Sequence, residues 1–531
     1  SVPALPVIRA NLTLKQLRLG QLIDDGFSIL RRGRATPGCW GGMEMFQRSR
    51  VPAWDARLPA TYDHFRRNLD AICRSGTDAG ATVLLCTLPV NLRDCPPFAS
   101  VHRAGLAPED LERWESLYRE GTELERAGRT GEARERFGSA SRIDPMYAEL
   151  VFRRARLDDG AQAAAGFQQA RDLDALRFRA DSKINATIRA VAAELGPRRV
   201  TLVDAERALA AVCAQGVPGE DLFYEHVHLN FHGNYRVAVA VLSRLDTWHA
   251  SRTRVAPIGE DECARRLGFD AWRRYEDASE IAEMRARPPF TAQLDAAERD
   301  RRWQERLDSW RSSLTPDALA GAITDCERAL ATAPGDWMLR MHLAYLRDRA
   351  GQTPRAAEEY ATVIRQVPHH AQAHARLAAA ELTLRRLDRA DAEFDVAARL
   401  DPGLARARYG RCEVLAARGR VKEAIAQFAS LVDREPDRVE ALRQFAAFLE
   451  RAGRPTLARE TLEEALRLDP QDVILLVDLG NARARAGDLA GAIAAFEAAV
   501  RLRPHWPGIA DHLAELRKLR AEANTTAPGK P

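Results

Sequence analysis

The chain has 531 residues, 46% hydrophobic and 29% charged, with a formal net charge of +4, which is ordinary for a globular protein and long enough for two or three domains with cores of their own. No run of 18 apolar residues occurs, so no helix is expected to span a membrane. Only five of the 79 basic residues are lysine, a skew that reads as a GC-rich genome rather than as a nucleic-acid surface. The eight cysteines, at 39, 73, 86, 95, 213, 263, 326 and 412, form no Cys-x-x-Cys pair and argue for neither a disulfide framework nor zinc.

Residues 1–56 open with a proline-rich lead followed by Leu12, Leu14, Leu17, Leu19, Leu22, Ile23, Phe27 and Leu30, the spacing of an amphipathic helix. After the Gly-rich GCWGGMEMF, a helix is expected from about Leu58 to Cys73, with Tyr62, Phe65, Leu69 and Ile72 on one face. ATVLLCTLPV, from Ala81 to Val90, is short and continuously apolar and predicts a buried parallel strand. The loop NLRDCPPFAS follows, with Asn91, Arg93, Asp94 and the pair Pro96 and Pro97. Ligands of parallel sheets bind beyond the carboxyl ends of strands, which makes Asn91 a candidate substrate-binding residue; a rigid turn is the other reading.

Trp114, Leu117, Gly121, Leu124, Ala133, Phe137, Ala140 and Pro145 then occupy the size-restricted positions of a 34-residue helical repeat, and a shortened copy follows with Ala163, Phe167 and Ala170. This predicts a helical insertion, over 110–178, inside an α/β domain spanning 1–250. Residues 174–195 read as helix, and Val200 to Val203 as a strand ending at Asp204.

The densest reactive cluster lies in DLFYEHVHLNFHGNYRVAVAVL, residues 221–242, where Glu225, His226 and His228 share a polar turn before Gly233 and an apolar run. An acid three residues before a histidine in a tight turn can reach its Nδ1 and fix the tautomer. Glu225 is therefore expected to orient His228 as a general base, while His226, adjacent to the acid, points away. The alternative is that the three residues cap a helix and pair with arginines. His228 and His232 are four apart, but Gly233 sets them across a turn and no further ligand follows, so neither a metal nor a cofactor is expected.

A Glu-x-x-His segment just before a final helix resembles the last signature block of the SGNH (GDSL-like) hydrolases, and the strands before it read like the later half of that fold. The resemblance implies a partial doubly wound α/β domain, SGNH- or flavodoxin-like, that hydrolyses or transfers an acyl ester through a serine nucleophile, a histidine base and an oxyanion hole. In that family the serine, glycine and asparagine blocks lie upstream of the strand at Ala81, and none is recognisable in residues 1–80. Two accounts remain. Either a preceding segment carries the serine, which the first residue being Ser rather than Met allows, and the chain as given is inactive; or the domain has lost its chemistry and serves as a platform.

Residues 251–314, charged and Trp-rich, read as a helical connector. Beyond them one period governs the chain: prolines at 334, 368, 402, 436, 470 and 504, alanines at 322, 356, 390, 424, 458 and 492, and a bulky column of Cys326, Tyr360, Phe394, Phe428, Leu462 and Phe496. Glycines at 351, 419, 453 and 487 mark turns, and Arg385 departs from that column. This 34-residue pattern resembles the tetratricopeptide repeat and implies an all-α solenoid over 315–520 that binds a peptide or protein along its concave face. Met341, Tyr345, Tyr409 and Arg443 are the candidate peptide contacts, beside Met338, Arg406 and Ile474, a mixture that suits an acidic or amphipathic peptide. Residues 521–531 are expected to be disordered. Two functions stand: an interaction module fused to an ester-hydrolysing or acyl-modifying domain, and a non-catalytic scaffold or adaptor.

Overall fold

The computed structural model describes residues 43–47, 49–197, 199–245, 256–435, 437–503 and 509–526. The expected helix over Leu12 to Leu30 lies outside them, as do residues 527–531 of the tail, whereas residues 521–526, read as part of a disordered tail, continue the last helix to Thr526. By internal contacts the chain divides into a unit over Ser1–Arg48 and a unit over Ser49–Pro531. In the first, the described residues form one short 3-10 turn, Met43–Phe46; everything below concerns the second.

Helix α1 (Leu58–Asp78) leads into strand β1 (Val83–Cys86). Four helices follow, α2 (Pro108–Arg126), α3 (Thr130–Ile143), α4 (Ala148–Leu157) and α5 (Gly160–Leu173). Then come α6 (Ser182–Leu195), β2 (Val200–Val203), α7 (Ala205–Ala210) and α8 (Phe231–Leu245). β1 and β2 pair in parallel, with Val83 opposite Val200 and Cys86 opposite Val203, and a parallel pair needs a long crossover, which α2 to α6 supply. Cys73 of α1, Val191 and Ala192 of α6 and Val200 form a small core beside the sheet.

The doubly wound sheet expected over 1–250 is not what the described residues form: they hold a two-stranded parallel sheet in a mostly helical chain. The apolar run from Ala81 to Val90 yields only four strand residues, all half-buried. Just beyond them the Asn185 side chain accepts from the Leu88 amide at 2.8 Å and donates to the Leu88 carbonyl at 3.0 Å, in place of a ladder partner. The helix expected from Asp174 begins at Ser182, because Asp181 caps it by accepting the Ile184 amide at 2.9 Å.

The insertion packs as its small residues dictate. Phe137 lies so close to Gly121 that a Cβ there would come within 2.6 Å of the ring. Its base is stapled by a buried ion pair: Asp174 accepts the amides of Phe98 and Ala99 at 2.9 and 3.0 Å and faces Arg179 at 3.2 Å.

Three helices follow, α9 (Glu260–Leu267), α10 (Ala271–Arg285) and α11 (Ala296–Ser312). The array begins with α12 (Pro316–Thr332), α13 (Trp337–Arg349), α14 (Thr353–Gln366) and α15 (Ala371–Thr383). It continues through α16 (Leu387–Leu400), α17 (Ala405–Ala417), α18 (Val421–Val432) and α19 (Arg438–Arg451). It ends with α20 (Pro455–Leu468), α21 (Val473–Arg485), α22 (Leu489–Leu502) and α23 (Ile509–Thr526). Each helix from α12 onward packs on the next. Ala356, Ala390, Ala424, Ala458 and Ala492 are fully buried, and the bulky column beside them is nearly so, so the period is a packing period. The opening helix of the first copy is the exception: α11 pairs with α10, and α12 packs against α9.

Where the glycine column fails, Arg385 takes up the same left-handed turn, with φ 61° beside 72° at Gly351 and 83° at Gly419. That conformation costs an L side chain about 1–2 kcal/mol, part of which glycine's extra unfolded-state entropy offsets. Arg385→Gly is therefore expected to stabilise the array by about 0.5–1 kcal/mol; an unchanged or lowered urea midpoint would contradict it.

Candidate functional site

Phe223 and Leu229 form an antiparallel bridge, and the Tyr224 amide donates to the His228 carbonyl at 2.8 Å, closing a tight loop. Inside that loop the Glu225 carboxylate accepts the backbone amides of His226, Val227 and His228, the last at 2.7 Å, and meets Nδ1 of His228. A carboxylate so held is fixed in place, and it fixes the imidazole in turn. The acid and histidine three residues apart do meet, for the reason their spacing gave.

His226 differs from the expectation. Rather than pointing away, its Nδ1 faces the other oxygen of Glu225, because the loop curls around the carboxylate from both sides. Its ring is buried, edge-on to Phe98 at 5.3 Å and Phe290 at 5.4 Å. Burial, with the Arg179 cation behind it, pushes the imidazole down to about 3. The two rings differ most in access: the His226 side chain is 6% exposed and that of His228 is 59%. No serine hydroxyl among the described residues hydrogen-bonds to His228. What the loop offers chemically is half an acid–base relay, an exposed imidazole with a buried carboxylate behind it.

Asn91 is 1% exposed. Its Nδ2 donates to the Glu225 carbonyl at 2.9 Å, its amide donates to the His226 carbonyl at 3.0 Å, and its Oδ1 accepts the Asp94 amide at 2.9 Å. Arg179, which the sequence did not single out, donates to the carbonyls of Asn91 and Cys95 at 3.0 and 2.7 Å. Asn91 thus ties the end of the β1 loop to the histidine loop, and both ends of its amide are committed to backbone. His232 sits apart, its Nδ1 against Glu260 at 2.7 Å.

The segment α10–α11 stands between this loop and the array. On one side Tyr224 packs with Ala278, Ala282, Trp303 and Leu307. On the other, Asp270 meets His342 at 2.8 Å, Trp272 joins the core of α12 and α13 and lies under Arg349, Glu276 accepts from the Tyr345 hydroxyl, and Asp300 pairs with Arg503 at 3.0 Å. Residues from the second helix of the array to its last turns thus converge on one segment of about thirty residues.

Asp270, Cys326 and His342 bring oxygen, sulfur and nitrogen atoms within 4.8 Å of one another, a donor set of the kind that zinc takes. The 2.8 Å contact of His342 with Asp270 already satisfies both.

The four candidate peptide contacts fare differently. Met341 is half-buried against Ala344, Tyr360 and Leu377, and the Tyr345 hydroxyl is taken by Glu276. Tyr409 is a core residue, stacked on Phe428 at 4.3 Å. Arg443 lines an open hollow of ≈400 Å³ with Gln444, Glu450, Asp478, Asn481 and Arg485.

Residues 341–405 and 443–507 match the family model of the tetratricopeptide repeat. These two stretches of the array are tetratricopeptide repeats. The chain is similar to a tetratricopeptide repeat protein from Parabacteroides merdae at 18% identity over 49% of this chain and 96% of that one, with a TM-score of 0.32. It is also similar to YrrB, described as a TPR protein with an unusual peptide-binding site, at 18% identity over 36% of this chain and 97% of that one, with a TM-score of 0.22. The P58(IPK) TPR domain matches at 16% identity over 77% of this chain and 99% of that one, with a TM-score of 0.18. A comparison with curated proteins gives no match. The family match covers the tetratricopeptide register and does not bear on ester hydrolysis.

In the Arg443 hollow, burial pushes the Asp478 carboxyl up to about 6 against the pull of Arg443, from an ordinary value of 3.8. Between those values the folded state holds a proton that the unfolded state has lost, so array stability is expected to rise as pH falls from above 6 towards 3.8. Asp478→Asn should flatten that slope; a pH profile of the urea midpoint identical to that of the parent would refute the assignment.

Proposed function

We propose that the protein is a non-catalytic tetratricopeptide scaffold that takes a peptide or protein partner at the Arg443 hollow. One observation supports this reading above others. Toward its start the array is engaged by the chain's own Glu276 and Trp272, while the hollow farther along is open and lined by Arg443 and Gln444, both against Glu440, by Arg485 against Glu450 at 2.6 Å and by Asn481, pairs that a polar peptide of mixed charge can exchange for its own. Its Glu440, Glu450 and Asp478 disfavour a purely acidic ligand, so the preferred partner is a mixed-charge or amphipathic segment. Peptides selected by display against the full chain should lose at least about tenfold in affinity for the variant Arg443→Ala with Asn481→Ala, the loss of one or two hydrogen bonds to a charged group. If such peptides bind the variant as tightly as the parent, the partner site is elsewhere.

A second reading, acyl-ester hydrolysis or transfer with His228 as base and Glu225 as its orienting acid, is favoured by the buried carboxylate behind an exposed imidazole. Such a pair needs a nucleophile, and losing that member leaves only residual rate. The chain is therefore expected to turn over a simple, unactivated acetyl ester no faster than its His228→Ala variant does. Turnover that His228→Ala abolishes would establish the enzymatic reading instead.

A further inference from the structure

Where the α10–α11 segment meets the end of the array, Arg285, Arg299 and Arg503 share a hollow of ≈170 Å³ with Ala296, Ala297 and Asp300. The carboxylates do not balance these three cations. Arg503 is paired with Asp300 at 3.0 Å. The acid facing Arg285, Glu220, is 3.8 Å away and sits closer, at 3.2 Å, to Arg306. Arg299 makes no ion pair among the described residues: its Nη2 donates to the Gln293 amide oxygen at 2.9 Å, and its Nε is buried without a partner. Burial lowers the pKa of all three, that of Arg299 to about 10, as withdrawing a cation from water does.

Helix α11 adds to the same field. Its first two residues, Ala296 and Ala297, line the hollow, and an α-helix presents roughly half a positive charge at this end. The residue before it, Asp295, does not cap it: the backbone there is left-handed, and the carboxylate pairs instead with Arg156 at 2.7 Å. The end of a 17-residue helix is thus left to face a cavity that already holds an excess of guanidinium groups.

We propose that this hollow is a binding site for a phosphate group, held by Arg285, Arg299 and the start of α11 on one side and by Arg503 of the array on the other. Guanidinium forks match the geometry of a tetrahedral oxyanion, and a helix N-terminus favours one. The cavity is smaller than the roughly 300–1,000 Å³ of sites for larger organic ligands, which restricts it to the phosphate and leaves any attached group outside. Asp300 opposes binding, so an anion is held only because the guanidinium groups of the hollow outnumber this carboxylate. A bound phosphate would bridge the α10–α11 segment and the end of the array. This site uses neither the peptide hollow nor His228, although Arg285 also donates to the Tyr224 carbonyl of the histidine loop at 3.2 Å.

Titration calorimetry of the full chain in low-salt buffer tests it, with inorganic phosphate in one arm and phenyl phosphate in another to separate free phosphate from a phosphorylated molecule. Saturable binding of one anion per chain is expected in at least one arm, weakened by about tenfold or more in Arg299→Gln and retained better in Arg299→Lys. Phosphate should also raise Tm where chloride at equal ionic strength does not. If Arg299→Gln does not fold, Arg285→Gln and Arg503→Gln are read the same way. Absence of saturable binding in both arms, or unchanged binding in the folded glutamine variants, would overturn the proposal.

Discussion

Arg179→Ala is expected to destabilise the part of the protein that carries the histidine loop by about 3–5 kcal/mol, the cost of breaking a buried ion pair from one side. The side chains of Arg179 and Asp174 are each 3% exposed. Removing the guanidinium leaves Asp174 buried with its amide donors but no counter-charge, and it also deprives the carbonyls of Asn91 and Cys95 of their donor. Burial already pushes the Asp174 carboxyl up in the intact protein, so in the variant it should take up a proton readily and the loss should shrink as pH is lowered. Urea unfolding followed by a probe in the 49–245 region would show this; a midpoint within error of the parent at neutral pH would mean that the pair carries no weight.

Ala424→Trp is the array's counterpart, with an expected loss of about 3 kcal/mol, at the upper end for overpacking. Ala424 is fully buried in the cluster that holds Tyr409, Phe428 and Leu442, and an indole there must part α18 from its neighbours. An unchanged melting temperature would show that the 34-residue register has been placed on the wrong residues.

How far the sequence could be read follows from how far apart the contacting residues lie. The alanine and bulky columns of the array were legible because every contact they make is with the next helix or two, so one period carries all the information. The meeting of Glu225 with His228 was legible for the same reason, three residues in one loop. Strand β2 fell on Val200 to Val203 as read, whereas β1 stopped at Cys86, because Asn185, about a hundred positions away, holds Leu88 out of the ladder. Tyr345 and Tyr409 occupied the face expected to bind a peptide, yet Glu276 and Phe428 claim them. For Tyr345 the partner lies outside the repeats, where no spacing rule reports it; for Tyr409 it belongs to the bulky column itself. Arg179 left no signal at all: an arginine in the short connection between Leu173 and Ser182 looks like any solvated charge until the fold closes over it. The expected wide sheet failed differently, since an apolar run shows that a strand is present but not how many neighbours it has.

The α10–α11 segment bears on how the protein can be divided. Trp272 shares a core with Leu319, Ile323, Leu339 and Leu343, and Gly268, at φ +65°, sits so near Leu339 and His342 that a Cβ would come within 2.8 Å of the first. The opening repeat therefore borrows the helix that would complete it from chain preceding residue 315. A piece begun at 315 would present that core to water, and one ended before the array would strand Glu276 and Asp300 without their partners. Dissection at the point where the repeat pattern starts would yield two fragments, each missing a surface that only the other possesses, and a cut ahead of Glu260 is the one that keeps the repeats whole.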